Sequence, residues 1–170
     1  GGLGQLHALR FIATTDRAEL ETAVRLLQRA CELDPDYVEP LTWLTYSQWR
    51  LGRHDEAEQT GQSAVARDPG EPLAHYFLGV AWLGRGQDPG DRARLKRSIE
   101  PLAEAVRLAP RFGAAQILLG SALLHCGRYE EAHGPLEAAA AIERTKRYEL
   151  SRFVGSGPAL ALLALREGRL

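Results

Sequence analysis

The chain has 170 residues, of which 45% are hydrophobic and 25% are charged, a balance typical of a globular domain with a buried core. A formal net charge of −1 argues against nucleic acid or an anionic membrane as the partner. Two cysteines, Cys31 and Cys126, are too few for a disulfide framework and favour a reducing compartment, so we expect a cytoplasmic protein.

The first strong helix signal begins at Asp16, after a short helix-like stripe within residues 1–13. Asp16 and Glu19 have the spacing of a capping box, in which the two side chains satisfy free backbone N–H groups at a helix start. The apolar residues that follow have a period of 3.6, which predicts a helix up to Leu33. Pro35 cannot continue the hydrogen-bond ladder and ends it.

Paired helices are predicted for the rest of the chain, each pair separated by a turn at a glycine. The helices expected in chain order are Glu39–Leu51, Asp55–Ala66, Leu73–Arg85, Asp91–Leu108, Ala114–Cys126, Tyr129–Ile142 and Pro158–Glu167. The segment from 87 to 91 is an insertion with strong turn residues. There is no methionine, even at position 1, so we expect a fragment or a processed chain.

Two independent markers recur with one period, which is the signature of an internal repeat. The turn glycines Gly52, Gly86, Gly127 and Gly168 are 34, 41 and 41 residues apart. Prolines that close the pairs, Pro35, Pro69 and Pro110, are 34 and 41 residues apart. The longer spacing reflects the insertion and a longer following helix.

Small residues and leucines keep the same register, and together they resemble the tetratricopeptide repeat (TPR) family. A leucine and a small residue precede each turn glycine by eight and seven positions: Leu44-Thr45, Leu78-Gly79, Leu119-Gly120 and Leu160-Ala161. Ala57 and Ala132 lie five positions after a turn glycine. Ala30, Ala64 and Ala105 lie five positions before a closing proline. The chain departs from the family pattern in two ways. Where the family has an aromatic residue, this chain has Leu41, His75 and Gln116, and Ser98 stands in place of one alanine.

The resemblance implies an all-α, right-handed solenoid of antiparallel helix pairs (a TPR-like superhelix). It places residues 1–170 in a single TPR-like domain with repeats at about 4–37, 38–71, 72–112 and 113–153 and a half repeat at 154–170. The apolar helix of that half repeat makes a homodimer through the C-terminal half repeat possible.

In this family the first helix of each pair lines a concave groove. The residues expected on that face have three- and four-residue spacing: Glu39, Thr42, Tyr46, Trp49, Leu73, Tyr76, Val80, Leu83, Ile117, Ser121 and Leu124. These stripes lack the Lys, Arg and Asn residues with which chaperone-binding members clamp a terminal carboxylate. The residues could either pack against neighbouring helices or contact a ligand.

The expected function is a non-enzymatic protein–protein interaction scaffold that binds a peptide or partner protein in an apolar concave groove. The alternative is a regulatory or sensory TPR segment of a larger bacterial signalling or transcription-regulating protein. No nucleophile–base or paired-carboxylate arrangement indicates an enzyme. No cofactor or metal is expected, since the turn at Gly127 separates Cys126 from His133. The longest apolar run, Ala114 to Leu124, is too short for membrane insertion.

Overall fold

The computed structural model describes residues 17–83 and 92–145, and these ranges contain seven α-helices. In chain order they are α1 (Arg17–Leu33), α2 (Glu39–Arg50), α3 (His54–Arg67), α4 (Pro72–Leu83), α5 (Arg92–Leu108), α6 (Gly113–His125) and α7 (Tyr129–Thr145). The predicted all-α architecture of paired helices is confirmed. None of these helices is long and apolar enough to cross a membrane.

The turns at Gly52 and Gly127 have the same backbone geometry. Both glycines have φ of +78°, in the left-handed region that residues with a side chain rarely adopt. Arg53 N–H donates to the carbonyl of Gln48 and Arg128 N–H to that of Leu123, both at 2.9 Å. This six-to-one hydrogen bond defines the Schellman motif, which satisfies the free carbonyls at a helix end and stops the helix.

The loops that close each pair also repeat one pattern. The backbone N–H of the residue after each helix donates to the carbonyl of the alanine that lies four residues earlier. Asp34 N–H donates to Ala30 at 3.0 Å, and Ala109 N–H donates to Ala105 at 2.9 Å. The next residue is a proline, which has no N–H to continue the ladder. These loops therefore end α1, α3 and α5 at the same position of the repeat.

The chain divides into two compact units, 1–84 and 85–170. In the first unit α2 packs against α1, α3 and α4, and α3 packs against α4. Its core includes Leu41, Ala64 and Ala74, with Cys31 and Val65 packed against them. In the second unit α6 packs against α5 and α7, and the largest fully buried side chains include Leu102 and Leu136.

The small residues of the repeat register lie where helices cross. Ala57, Ala64, Ala105 and Ala132 have no exposed surface, because a larger side chain there would push the two helices apart. Ala30 departs from the pattern and is only half-buried. Ser98, which replaces an alanine, is fully buried, and its hydroxyl donates to the carbonyl of Leu95 at 2.7 Å.

Two prolines lie inside helices, as the predicted helices Asp91–Leu108 and Tyr129–Ile142 already implied. Pro101 is in α5 and Pro135 is in α7. Each removes one backbone donor from its helix, which ordinarily disfavours proline there. Both helices nevertheless continue for about two turns or more, to Leu108 and Thr145. Tertiary packing therefore overrides local preference at these positions, and Pro101 itself is buried.

Several sequence predictions lie outside the described residues. These are the helix-like stripe of residues 1–13, the turn at Gly86 with the insertion at 87–91, and the half repeat at 154–170. The predicted third repeat, 72–112, spans the boundary between the two units. The organisation as a single domain of four and a half repeats therefore stays a prediction.

Candidate functional site

Five aromatic rings gather on α2 and α4, the first helices of two successive pairs. We call this set the ring cluster: Trp43, Tyr46, Trp49, Tyr76 and Phe77. Phe77 is its centre, with ring centroids 5.6 Å from Trp43, 5.0 Å from Tyr46 and 5.3 Å from Tyr76. Tilted rings at these separations attract one another beyond the area they bury.

One ring of the cluster is buried, and the other four are partly exposed. Phe77 is 6% exposed, so it belongs to the core of the first unit. Trp43, Tyr46, Trp49 and Tyr76 are each only partly buried. The ring of Tyr46 joins the two helices, since it contacts Phe77 on α4 and lies 6.0 Å from Trp49 on its own helix. The cluster therefore combines one buried ring with four partly exposed rings along α2 and α4.

A cation borders this surface. The guanidinium of Arg50 donates to the hydroxyl of Tyr46 at 2.6 Å, and its central carbon lies 5.6 Å from the centroid of the same ring. A guanidinium within about 6 Å of an aromatic centroid is attracted to the negative face of the ring. Arg50 thus helps to hold the orientation of Tyr46 within the cluster.

The environment of Tyr76 is apolar enough to change its acidity. Burial, with a smaller contribution from Tyr46, raises the pKa of Tyr76 to about 12. Loss of water around a phenol disfavours the charged phenolate. The phenol of Tyr76 therefore lies in a more apolar environment than an exposed tyrosine.

The other residues predicted for this face of the first unit are less accessible. Thr42 is 2% exposed and Val80 is 6% exposed, so both act as packing residues. Glu39, Leu73 and Leu83 are partly exposed. Of the predicted stripe, the structure brings Tyr46, Trp49 and Tyr76 into one cluster and places Thr42 and Val80 beneath the surface.

In the second unit the predicted stripe is mostly core. Ile117 is 7% exposed and Leu124 is 8% exposed. Ser121 is partly exposed, and its backbone carbonyl accepts a hydrogen bond from Nδ1 of His125 at 2.8 Å. Ser121 is therefore the most accessible of the three predicted residues on α6.

Sequence reasoning missed two members of the ring cluster, Trp43 and Phe77. Trp43 is four residues after Glu39 and three before Tyr46, so helical spacing alone could have included it. Phe77 follows Tyr76 directly and would have been assigned to the next face of the helix. Both join the cluster because α2 and α4 pack side by side, which their separate sequence stripes did not reveal.

An acidic depression of about 480 Å³ adjoins the ring cluster at Trp43. It lies where the loops after α1 and α3 meet the starts of α2 and α4. Its lining includes four carboxylates and two aromatic side chains: Asp36, Glu39, Asp68, Glu71, Tyr37 and Trp43. Of these six residues only Glu39 belongs to the predicted groove stripe, because the others lie in loops or on other faces of the helices.

The histidines and cysteines that the structure describes include two with clear structural roles. His75 is 7% exposed, and its Nε2 lies 2.9 Å from the carbonyl oxygen of Pro69. Since a carbonyl oxygen only accepts, Nε2 carries the proton, and His75 is a buried packing residue. Burial raises the pKa of the Cys31 thiol, which makes it less nucleophilic. Residues 17–83 and 92–145 contain no group of three or more His, Cys, Asp or Glu side chains that could hold a metal ion.

The chain matches two family models, both described as tetratricopeptide repeat, over residues 16–81 and 83–148. No curated protein matches it significantly. Among solved structures it is similar to TTC0263, a thermophilic TPR protein of Thermus thermophilus, with 25% identity and a TM-score of 0.72. That match covers 97% of this chain and 81% of the other.

Two further solved structures share the fold at lower identity. MamA of Desulfovibrio magneticus RS-1, residues 41 to the end, is 20% identical with a TM-score of 0.72, covering 99% of this chain and 87% of that one. The first TPR of Spaghetti (RPAP3), bound to the HSP90 peptide SRMEEVD, is 17% identical with a TM-score of 0.64. It covers 77% of this chain and 93% of that one.

The family models cover most of the chain, and the described helices pair as the repeat requires. Repeats of this type generally serve as protein–protein interaction modules and are typically non-catalytic. Their fold is an array of helix pairs that present extended binding surfaces. This chain belongs to the tetratricopeptide repeat family.

Proposed function

We propose that this protein is a non-enzymatic scaffold that binds a peptide or partner protein through the ring cluster on α2 and α4. The observation that carries the proposal is the partial exposure of Trp43, Tyr46, Trp49 and Tyr76 around the buried Phe77. Interface hot spots are enriched in tryptophan, tyrosine and arginine, clustered where a partner can exclude water. The ring cluster, with Arg50 at its border, supplies all three residue types.

The contact surface is already organised before a partner arrives. Tyr46 is held by Phe77, by Trp49 and by the hydrogen bond from Arg50. Side chains fixed in this way lose little conformational entropy on binding, so more of the contact energy appears as affinity. An apolar segment, extended or helical, is therefore the favoured ligand, and its apolar side chains would pack on the exposed ring faces.

A solved neighbour gives limited support. The first TPR of Spaghetti (RPAP3) was solved with a bound HSP90 peptide, so this fold can accommodate a peptide. The likeness to that protein concerns the fold alone. In the predicted stripes of this chain the basic clamp for a terminal carboxylate is missing, so we propose internal apolar side chains as the anchors.

The proposal is tested by selecting peptides from a random dodecapeptide phage library with the full chain. We expect enrichment of peptides with aromatic or aliphatic side chains. A Trp49→Ala variant should weaken the selected peptides by about 2 kcal/mol or more, roughly thirtyfold in Kd. Leu26→Ala is the matched control, because Leu26 is apolar, 57% exposed and on α1, which carries no member of the ring cluster.

Circular dichroism melting of both variants separates lost binding from lost folding. Equal affinity of the selected peptides for Trp49→Ala and the parent chain would rule out the ring cluster as the binding surface. A selection without apolar enrichment would contradict the proposed function itself. Greater sensitivity to Leu26→Ala than to Trp49→Ala would move the binding surface to α1.

A further inference from the structure

The acidic depression beside Trp43 has no positive charge among its lining residues. The carboxylates of Asp36, Glu39, Asp68 and Glu71 come from two loops and two helix starts that meet there. None of the four forms an ion pair with any residue of 17–83 or 92–145. Outside the lining, the guanidinium of Arg67 donates to the carbonyl of Pro35, the residue before Asp36, and keeps its positive charge there.

The hydrogen bonds of these carboxylates are local and do not neutralise them. Glu39 accepts from the hydroxyl of Tyr37. Oδ1 of Asp68 accepts from Gly70 N–H at 3.0 Å, and Oε1 of Glu71 accepts from Leu73 N–H at 2.9 Å. A carboxylate has room for about four hydrogen bonds, so each retains acceptor capacity toward the open space.

Aromatic side chains form the other part of the wall. Tyr37 is 47% exposed, and Trp43 is partly exposed. The face of a tyrosine or tryptophan ring attracts a cation, and tryptophan does so most strongly. The pKa of Tyr37 is raised, chiefly through its hydrogen bond to Glu39, then by burial and by the negative charges of Glu39 and Asp34. Carboxylates and ring faces therefore favour the same kind of ligand.

The geometry selects an organic cation over a metal ion. No group of three potential ligands converges within the described residues, so the carboxylates are spread around the depression. A volume of about 480 Å³ lies within the range of sites for small organic groups. Trp43 belongs both to this depression and to the ring cluster, so one bound segment can occupy both.

We infer that the depression receives an arginine or lysine side chain of the segment that binds the ring cluster. This inference rests on the proposed function and names the partner class: a segment in which a basic residue neighbours an apolar anchor. The basic head lies among the four carboxylates, and its aliphatic stem or guanidinium plane packs on Trp43 and Tyr37. A partner with an acidic residue at that position is rejected by like charge.

The test is the dodecapeptide selection, run in parallel on the full chain and on the double variant Glu39→Gln/Glu71→Gln. Glutamine keeps the shape and can still accept the hydrogen bonds from Tyr37 and Leu73, so the variant removes charge alone. The control is Glu100→Gln/Glu130→Gln, which changes net charge equally at two exposed positions of the second unit.

We expect peptides from the parent chain to carry arginine or lysine at a fixed spacing from an apolar residue. The Glu39→Gln/Glu71→Gln variant should bind them about fivefold more weakly, while the control variant binds them as the parent does. The difference should shrink as salt is raised from low to moderate concentration, because exposed charges are screened. Apolar enrichment should persist in both variants.

Apolar enrichment without basic residues, or equal affinity for parent and double variant, would overturn the inference and leave the proposed function standing. Absence of any enrichment would overturn both. A second copy of the chain is the competing occupant, since α5 carries Arg92, Lys96 and Arg97. Sedimentation that shows a dimer dissolved by Glu39→Gln/Glu71→Gln would assign the depression to that contact and reject a partner's basic residue.

Discussion

A Cβ atom built on Gly120 would lie 2.5 Å from Cγ and 2.6 Å from Cδ2 of Leu136. Gly120 is in α6 and Leu136 is in α7, so the two helices approach each other very closely at this point. Leu136 has no exposed surface, so its side chain is enclosed by the surrounding helices. The glycine at this register position allows the leucine of the partner helix to fill the crossing.

Gly120→Ala should destabilise the second unit. The added methyl group must displace Leu136 or separate α6 from α7, and overpacking of this kind typically costs about 1–3 kcal/mol. Helix propensity acts in the opposite direction, by about 1 kcal/mol for glycine to alanine. Urea denaturation followed by circular dichroism at 222 nm measures the balance, which we expect to be a net loss of unfolding free energy.

Gly113→Ala is the matched control, since Gly113 begins α6 and a Cβ there would lie 3.4 Å from Cγ2 of Ile142, an ordinary van der Waals distance. Only helix propensity then changes, so we expect a gain of about 0.5–1 kcal/mol. Opposite signs for the two variants would verify the α6–α7 crossing. Stabilisation of similar size in both would show that the two helices do not approach each other at Gly120.

The turn at Gly127 provides a second test, this time of backbone conformation. A Cβ there would meet nothing within 4 Å, yet φ is +78°. Gly127→Ala should therefore cost about 1–2 kcal/mol from left-handed strain alone. Gly127→Asn should cost less, because asparagine tolerates this region. Equal unfolding free energies for the two variants would contradict the Schellman turn described for this glycine.

Much of the fold could be predicted from the sequence because its signals are local. The 3.6-residue period and the prolines predicted that α1 ends at Leu33 and α5 at Leu108, and the structure confirms both ends. Positive φ at Gly52 and Gly127 follows from the same repeat register. The predicted helices Asp91–Leu108 and Tyr129–Ile142 ran through Pro101 and Pro135, as found, although local chemistry opposes proline in a helix interior.

The candidate site was less predictable because it depends on contacts between helices. Counting back from the turn glycine identified Tyr46, Trp49 and Tyr76 but gave no reason to prefer them over Thr42 or Val80, which are buried. The acidic depression joins residues about thirty positions apart, such as Asp36 and Asp68. Such a juxtaposition follows from stacking of successive pairs and leaves no short-range signal in the sequence.

Gln116 occupies the aromatic position of the family pattern and makes a specific contact there. It is 5% exposed, and its Nε2 donates to the carbonyl of Pro110 at 3.1 Å. His75 makes the equivalent contact to Pro69, while Leu41 shows that the position also accepts an apolar side chain. The hydrogen bond should therefore contribute modestly to stability.

We expect Gln116→Leu to cost about 1 kcal/mol and Gln116→Glu to cost more, about 2–3 kcal/mol at neutral pH. A carboxylate cannot donate to the Pro110 carbonyl, and burial opposes its charge. The pKa of the introduced carboxyl is then raised, so its penalty should decrease as pH falls and the protonated group can donate. Denaturation at pH 7 and pH 4 checks this; a Gln116→Glu variant as stable as Gln116→Leu at pH 7 would contradict the contact.

The raised pKa of Tyr76 leads to a prediction at alkaline pH. An exposed tyrosine in the unfolded chain has a pKa near 10, whereas burial raises the pKa of Tyr76 to about 12. Below pH 10 the phenol is protonated in both the folded and the unfolded state, so its contribution to stability is fully present. As pH rises from 10 to 12 the unfolded state loses its proton first, so the stabilising contribution is lost over that window.

Absorbance of phenolate at 295 nm, followed during pH titration of the folded chain, measures this directly. The parent should show a tyrosine that titrates near pH 12, and Tyr76→Phe should lack that component while retaining its helical circular dichroism. The unfolding free energy of Tyr76→Phe should also fall less steeply between pH 10 and pH 12 than that of the parent. Identical late titration in the parent and in Tyr76→Phe would show that the late component does not belong to Tyr76, and the packing of α4 against α2 at the ring cluster would need revision.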